Sequence, residues 1–151
     1  MSGHAFDLRV YFEDTDAGGV VYNANYLKFY ERARTEFLRD LGYEQDDLLS
    51  QGLVFVVKNI AVDFLRAARF NERLRVLTRP TELKRASLVF EQEIHGLDAD
   101  GRITEHSRPL NRARVRVACV AAEGFRPLAI PDDIRAALQE RQTHSNDTTD
   151  R

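Results

Sequence analysis

One long segment of helical period stands among segments of alternating period, and this contrast constrains the fold more than any other feature. Across residues 26–41, apolar side chains recur at spacings of three and four, so they share one face of a helix. Those residues are Tyr26, Tyr30, Ala33, Phe37 and Leu41, with Leu27 and Leu38 widening the face. Gly42 follows where glycine commonly ends a helix. The pattern predicts one long amphipathic helix that must bury its apolar face against another element.

Five further segments alternate between apolar and polar residues or are rich in β-branched residues, as strands are. These segments are residues 6–12, 52–65, 73–79, 87–95 and 112–120. In the first of them, Phe6, Leu8, Val10 and Phe12 share one side. Pro131 is typical of the first position of a helix and predicts a short closing helix over residues 131–141. The remaining residues, 142–151, have little to bury and are expected to form a disordered tail.

The predicted elements follow one another as strand, long helix, four strands and short helix, joined by short links. This order favours an antiparallel sheet over alternating β-α units. We therefore expect an α+β, hot-dog-like fold, in which a curved antiparallel sheet of about five strands wraps on the long helix. Residues 1–141 would form a single domain. Such a sheet has free edges, so pairing with a second copy is expected.

Composition narrows the class of protein. A chain of 151 residues with 43% apolar content and a net charge of −2 is typical of a soluble domain and not of a nucleic-acid binder. Cys119 is the only cysteine, so no disulfide can form within the chain. The N-terminal residues lack the pattern of a signal peptide, and no apolar run reaches the ~20 residues that span a bilayer. A cytoplasmic protein is expected.

The segment between the first strand and the long helix, EDTDAGGVVYNANY at residues 13–26, is unusually rich in acids, glycines and asparagines. Such residues suit a turn into a helix, with Asn23 or Asn25 as the N-cap and acids near the positive helix end. A turn needs only one glycine and one acid, however, and this segment directs several acids at the start of the helix. Both a structural and a catalytic interpretation therefore stay open.

The pair Asp14 and Asp16 also occurs in other kinds of site. A calcium loop of the EF-hand type that began at Asp14 would need ligands where the chain has Gly18 and Asn25. Phosphatases that form an aspartyl-phosphate use a similar pair of aspartates, but they need a parallel β-α sheet with further motifs. The predicted antiparallel sheet disfavours that interpretation.

Residues 10–38, VYFEDTDAGGVVYNANYLKFYERARTEFL, closely resemble the N-terminal motif of the hot-dog-fold acyl-CoA thioesterases. The resemblance is greatest to the YbgC type, which is associated with the Tol-Pal system and is a branch of the 4-hydroxybenzoyl-CoA thioesterase group. Weaker similarity continues through LVFVV, ARFNERLRV, RASLVFEQEI, VACV and PLAIPDDIRAAL. The resemblance thus covers nearly the whole chain.

The resemblance implies hydrolysis of the thioester between coenzyme A and an acyl or aroyl group. Asp16 matches the catalytic carboxylate, which acts as nucleophile or as general base on water, while Asp14 is expected to be structural. The thioester carbonyl would face the N-terminus of the long helix, where unpaired N–H groups favour an oxyanion. The residues expected to supply this site are Tyr22, Asn23, Ala24 and Asn25.

The resemblance also implies partners and the absence of a cofactor. Coenzyme A is part of the substrate, and no further cofactor or metal is expected. A homo-oligomer, arranged as a dimer of dimers, is expected, with proteins of lipid synthesis or of the Tol-Pal system as further partners.

Two positions depart from the family pattern. Many relatives carry His or Tyr where this chain has Asn23, and an asparagine cannot titrate near neutral pH. The familiar Pro-Ala-Arg before the third strand is replaced by Ala67, Ala68 and Arg69, a change expected to be structural only.

Several charged residues are candidates for contacts with coenzyme A. Arg112, Arg114 and Arg116 lie on one face of a predicted strand, either as a solvated outer face or as a surface that binds phosphates. Lys58 is a comparable candidate. Glu31 on the long helix is expected to be solvated or to support the site indirectly.

The cysteine and the histidines do not suggest other chemistry. Cys119 alternates with valines on a strand, which indicates a buried thiol rather than a nucleophile. The four histidines lack the spacing of a metal site; they are His4, His95, His106 and His144.

Two functions are compatible with the sequence. The first is an acyl-CoA thioesterase. The second is a non-catalytic hot-dog module that binds acyl groups or proteins of the envelope and of lipid synthesis. An intact Asp16 favours the enzyme, because a binding module has no use for a carboxylate beside the helix N-terminus.

Overall fold

A curved sheet wraps around one long helix in the computed structural model, which describes residues 3–103 and 108–149, the last seven of these by their backbone only. The elements in chain order are β1 (His4–Arg9), a 3-10 turn (Phe12–Asp14), α1 (Asn23–Asp40), α2 (Gln45–Ser50), β2 (Leu53–Phe64), β3 (Arg73–Thr81), β4 (Ser87–Gly96), β5 (Asn111–Ala121) and α3 (Asp132–Thr149). No helix in these ranges has the length and apolar character needed to cross a membrane.

The five strands form one sheet in the order β1-β3-β4-β5-β2, and every neighbouring pair is antiparallel. β1 and β2 therefore lie at the two edges. This arrangement confirms the predicted α+β fold, with a curved antiparallel sheet, one long helix and a helix at the C-terminus.

The core lies between α1 and the concave face of the sheet. Tyr30, Ala33 and Phe37 of α1 are fully buried, as the helical period predicts. Phe37 meets Phe90 of β4 edge to face, with ring centroids 5.6 Å apart. Each large apolar side chain buried in this way stabilises the fold by about 1.5–3 kcal/mol. The sheet side of the core comes mainly from Leu74, Val76, Leu88, Phe90, Ile94, Ala113, Val115, Val117 and Cys119.

Two apolar residues are not where the sequence pattern puts them. Phe12 is 78% exposed, because β1 ends at Arg9 and the chain bends into the 3-10 turn before the alternation is complete. Leu27 is 41% exposed and does not widen the buried face of α1. Phe29 takes that place instead and is fully buried.

The helices also differ from prediction at their ends. α1 begins at Asn23, before the apolar period starts, and ends at Asp40 as Gly42 adopts a φ of 100°. α2 lies between the long helix and the second strand, where no helix was predicted. α3 continues to Thr149, past the predicted end at residue 141 and into the expected tail, because neither glycine nor proline interrupts it. Residues 150–151 of that tail lie outside the described residues.

A buried polar pair joins α1 to β5. The Tyr30 hydroxyl donates to Asn111 Oδ1 at 2.6 Å, and both residues have no exposed surface. Burial raises the pKa of the Tyr30 hydroxyl, with smaller contributions from Glu93 and Tyr26 in the same direction. The Asn111 Nδ2 atom is buried without a hydrogen-bond partner. The Tyr30 hydroxyl thus satisfies the Asn111 side-chain oxygen but not its nitrogen.

The substitution Tyr30→Phe is expected to lower the free energy of unfolding by about 1–3 kcal/mol, since it leaves the buried Asn111 carbonyl oxygen without a donor. Urea unfolding followed by circular dichroism measures this loss. Adding Asn111→Leu to Tyr30→Phe removes the orphaned group, so part of the loss should be regained. Equal stability of Tyr30→Phe and the unaltered protein would contradict this account of the pair.

Candidate active site

The Asp14 carboxylate holds the segment between β1 and α1 together. It is buried, with 6% of its surface exposed. One oxygen accepts the Tyr11 N–H at 2.8 Å, and the other accepts the Asn25 side-chain amide at 2.9 Å. The Asp14 carbonyl oxygen also accepts the Tyr22 N–H at 2.9 Å. These contacts tie the 3-10 turn to the start of α1, which is the structural role expected for Asp14.

Asp16 lies two residues further on, at the base of a tight hairpin. Its N–H donates to the Val20 carbonyl at 2.9 Å, and the Gly19 N–H returns to the Asp16 carbonyl at 3.0 Å. Gly19 has a φ of 79°, a conformation that favours glycine. The Gly18 N–H donates to Asp16 Oδ1 at 2.8 Å. This turn fixes one oxygen of an otherwise exposed carboxylate.

The hairpin is attached to the body of the protein beside β3. Thr15 pairs with Val21, and the Val21 N–H donates to the Ala68 carbonyl at 2.8 Å. Ala68 is fully buried, and its own N–H donates to the Tyr26 hydroxyl at 3.0 Å. The altered Ala67-Ala68-Arg69 stretch thus supports the hairpin through its backbone, which matches the structural role expected of it.

The N-terminus of α1 directly follows the hairpin. Its N-cap is Tyr22, which makes no capping hydrogen bond with its side chain. Neither Asn23 nor Asn25 is the N-cap, contrary to expectation: Asn23 is the first helical residue. Asn25 lies within the first turn and uses its side chain on Asp14 instead. The Asn25 amide nitrogen thus anchors the first turn of α1 to the buried Asp14 carboxylate.

Of the four residues predicted to supply the oxyanion site, only two have an unpaired backbone N–H group. The Tyr22 N–H donates to Asp14, and the Asn25 N–H donates to the Tyr22 carbonyl at 2.8 Å. Within the part of the chain that the structure describes, the N–H groups of Asn23 and Ala24 donate to no protein atom, and both residues are exposed. The first turn of α1 contains no acidic residue. One hairpin and one helix end thus present an exposed carboxylate and two unpaired N–H groups.

The predicted basic candidates lie elsewhere on the sheet. Arg112, Arg114 and Arg116 are on the face of β5 turned away from α1. Arg114 and Arg116 both form ion pairs with Glu82. Arg112 faces Glu93, whose pKa is lowered first by its hydrogen bond to His95 and further by the charges of His95, Arg112 and Arg79. These contacts match the interpretation as a solvated outer face.

Lys58 has a different setting. It is exposed and lies at a bulge in β2, where the register with β5 shifts between Val57 and Asn59. Its neighbour Val57 is 48% exposed at the edge of the sheet and lines a cleft.

That cleft lies between α1 and β2 and was not foreseen from the sequence. Its volume is about 380 Å³, and we call it the α1–β2 cleft. Its lining residues are Glu31, Arg34, Thr35, Leu38, Gln45, Phe55, Val56, Val57, Leu88, Phe90, Val117 and Leu138. Most of the lining is apolar, so Arg34 stands out as a buried cation. The sequence signal that was available is an arginine directly after Ala33 on the buried stripe of α1.

The cysteine and the histidines do not form a second centre among the described residues. Cys119 is fully buried, as predicted, and burial raises the pKa of its thiol. In residues 3–103 and 108–149, no three His, Cys, Asp or Glu side chains come together as a metal site would require. His106 lies outside the described residues, and the His144 side chain is likewise not described.

Comparison with known proteins identifies the family. Residues 10–138 match the model of the thioesterase-like superfamily. The acyl-CoA thioesterase YbgC of Haemophilus influenzae is 46% identical over 138 residues, covering 91% of this chain and 95% of that protein. The acyl-CoA thioester hydrolase YbgC of Escherichia coli is 41% identical over 133 residues, covering 88% of this chain and 93% of that protein.

The fold also matches that of a known thioesterase structure. A DHNA-CoA thioesterase from Staphylococcus aureus superposes with a TM-score of 0.84 at 21% identity, covering 97% of this chain and 95% of that one. At that identity the likeness establishes the hot-dog fold and nothing finer. The family rests on the sequence matches, which confirm the resemblance seen in residues 10–38: the chain belongs to the thioesterase-like superfamily, within its YbgC-type acyl-CoA thioesterases.

Proposed function

We propose that the protein hydrolyses the thioester of an acyl- or aroyl-CoA, with Asp16 as the catalytic carboxylate. The observation that carries this proposal is the exposed Asp16 side chain on a hairpin that leads directly into the unpaired N-terminus of α1. Asp16 acts on the thioester carbonyl carbon, either directly as a nucleophile or through a water molecule as a general base.

The N–H groups of Asn23 and Ala24 are the proposed oxyanion donors. As the carbonyl carbon is attacked, negative charge collects on its oxygen, and unpaired N–H groups at a helix N-terminus stabilise that charge. Tyr22 and Asn25 position this end of the helix, since their own N–H groups are already engaged. Coenzyme A leaves as a thiolate, which needs less proton donation than an amine. A non-titrating Asn23 is therefore compatible with turnover.

We propose Lys58, rather than the three arginines of β5, as the residue that contacts coenzyme A. Lys58 adjoins the α1–β2 cleft through Val57, and in the described residues it forms no ion pair. Arg114 and Arg116, by contrast, already share Glu82. An unpaired ammonium group suits a phosphate.

We also propose that the active form is a homo-oligomer, as in a dimer of dimers. β2 is an edge strand and leaves Val57 and Phe64 about half exposed. An edge of this kind is commonly covered by a second copy. Proteins of lipid synthesis or of the Tol-Pal system are further candidate partners, and a cytoplasmic location suits a substrate that contains coenzyme A.

The substitution Asp16→Asn is expected to reduce thiol release from acyl-CoA by at least about a hundredfold, because the amide is neither nucleophile nor base. The assay is the appearance of free coenzyme A across a panel of short, long and aromatic acyl-CoAs. Glu13→Gln removes an exposed neighbouring acid and serves as the matched control, with activity close to that of the unaltered protein. If the unaltered protein released no thiol from any substrate, or if Asp16→Asn were equally fast, the proposal would fail in favour of a binding module.

The oxyanion role of the backbone can be separated from that of the Asn23 side chain. Asn23→Pro removes the N–H at the first helical position, where proline is tolerated, and Tyr22 before it already has a compatible ψ of 137°. Asn23→Ala keeps the N–H and removes only the side chain. We expect kcat to fall by about a hundredfold for the proline and far less for the alanine. Equal kcat in two folded variants would exclude this N–H as a donor.

The substitution Val57→Glu is expected to weaken self-association, because it places charge at the edge of β2. Sedimentation velocity should show an assembly larger than the 17.3 kDa chain for the unaltered protein and a shift toward that mass for Val57→Glu. Leu49→Glu, at an exposed residue of α2, is the control. A purely monomeric unaltered protein would contradict the proposed homo-oligomer.

A further inference from the structure

The α1–β2 cleft contains a cation that its structural contacts leave largely unused. Arg34 has only 9% of its surface exposed. Among the described residues it forms one hydrogen bond, from Nη1 to the Gln92 side-chain oxygen at 3.0 Å, and no ion pair. A guanidinium group carries five N–H donors. No Arg34 nitrogen is among the described buried atoms that lack a partner, so the donors that Gln92 does not use face the solvent of the cleft and are open to an acceptor.

The position of this cation is well fixed. Gln92 is almost fully buried, and its side-chain nitrogen donates to the Tyr30 carbonyl at 3.1 Å and to the Thr78 hydroxyl at 2.9 Å. The Gln92 oxygen is thereby oriented toward Arg34. Burial lowers the pKa of the Arg34 guanidinium, and the charge of Glu31 raises it. Because the ordinary pKa of arginine is so high, the group remains a cation.

Arg34, which lines the cleft, lies on the same side of α1 as the unpaired helix end. At 100° per residue, Asn23, Leu27 and Arg34 fall within about 40° of one another around the helix axis. The exposed Leu27 lies on this side of the helix, between Asn23 and Arg34 along the axis. Along the axis, about 16 Å separate Asn23 from Arg34, and side chains lean back toward the N-terminus. An acyl group whose carbonyl sits at Asn23 would pass over Leu27 and approach Arg34.

We infer that Arg34 is a specificity residue that selects acyl groups carrying a hydrogen-bond acceptor, above all a carboxylate, at the end remote from the thioester. The lining of the α1–β2 cleft would accommodate the methylene or aromatic part of such a group. Arg34 would pair with the acceptor through the donors that Gln92 leaves unused. This inference rests on the proposed thioesterase function and names the substrate class of that same site.

Glu31 is the one acid among the described residues that line the cleft, and its charge opposes the binding of an anionic acyl group. Glu31 is exposed, however, so water and salt screen its charge. Arg34 is buried, where charges act more strongly. The cation should therefore dominate the selection, and Glu31→Gln should strengthen the preference for a carboxylate.

The test compares pairs of acyl-CoAs of equal chain length that end either in a methyl group or in a carboxylate. For the unaltered protein, kcat/KM should favour the carboxylate by at least about tenfold at one or more chain lengths. Arg34→Met keeps the length of the side chain without its charge and should reverse the preference. Arg32→Met removes an exposed arginine of the same helix and should leave the preference unchanged.

Three outcomes would overturn the inference. These are the absence of a carboxylate preference in the unaltered protein at every length, an unchanged ratio of kcat/KM values in Arg34→Met, and an equal change of that ratio in Arg32→Met. The first does not require any variant to fold. If circular dichroism shows that Arg34→Met does not fold, Arg34→Lys replaces it; a single ammonium should keep part of the preference, and an unchanged ratio would again overturn the inference. Turnover of both substrates without preference would overturn the role of Arg34 and leave the thioesterase function intact. No turnover of either substrate would contradict the thioesterase function itself.

Discussion

The buried Asp14 carboxylate is the contact on which the rest of the site depends. The carboxylate accepts hydrogen bonds from the Tyr11 N–H and the Asn25 side-chain amide. The backbone carbonyl of Asp14 accepts the Tyr22 N–H. These bonds end β1, turn the chain and fix where α1 begins. Among the described residues, the Asp16 carboxylate has no partner outside its own hairpin. Asp14 is thus buried in structural contacts, whereas Asp16 is exposed.

The helix α1 also has more than one role. Its buried face is covered by the concave sheet and includes Arg34, while Asn23 and Leu27 on the same side nearer the N-terminus are exposed. A single helix therefore supplies core packing, an unpaired N-terminus and the wall of the α1–β2 cleft. The apolar period that predicts the helix describes only the first of these roles, and Leu27 is exposed although it fits the pattern.

The fold was predictable because it depends on periods that any residue of the right polarity satisfies. The catalytic role of Asp16 is taken from the dense motif of residues 10–38 and stays a prediction. The engagement of Asp14 by Asn25 was not, since it depends on the path of the hairpin between them. The link from Arg34 to Gln92 joins a helix to a strand far along the chain, and no local pattern reports such a contact. Buried polar pairs of this kind depend on tertiary packing.

A crystal structure of the Asp16→Asn variant with an unhydrolysed acyl-CoA tests the central claim most directly. The account predicts that the thioester oxygen lies within hydrogen-bond distance of the Asn23 or Ala24 nitrogen, with the substituted side chain against the carbonyl carbon. A thioester bound away from the N-terminus of α1, for example on the outer face of β5, would contradict it.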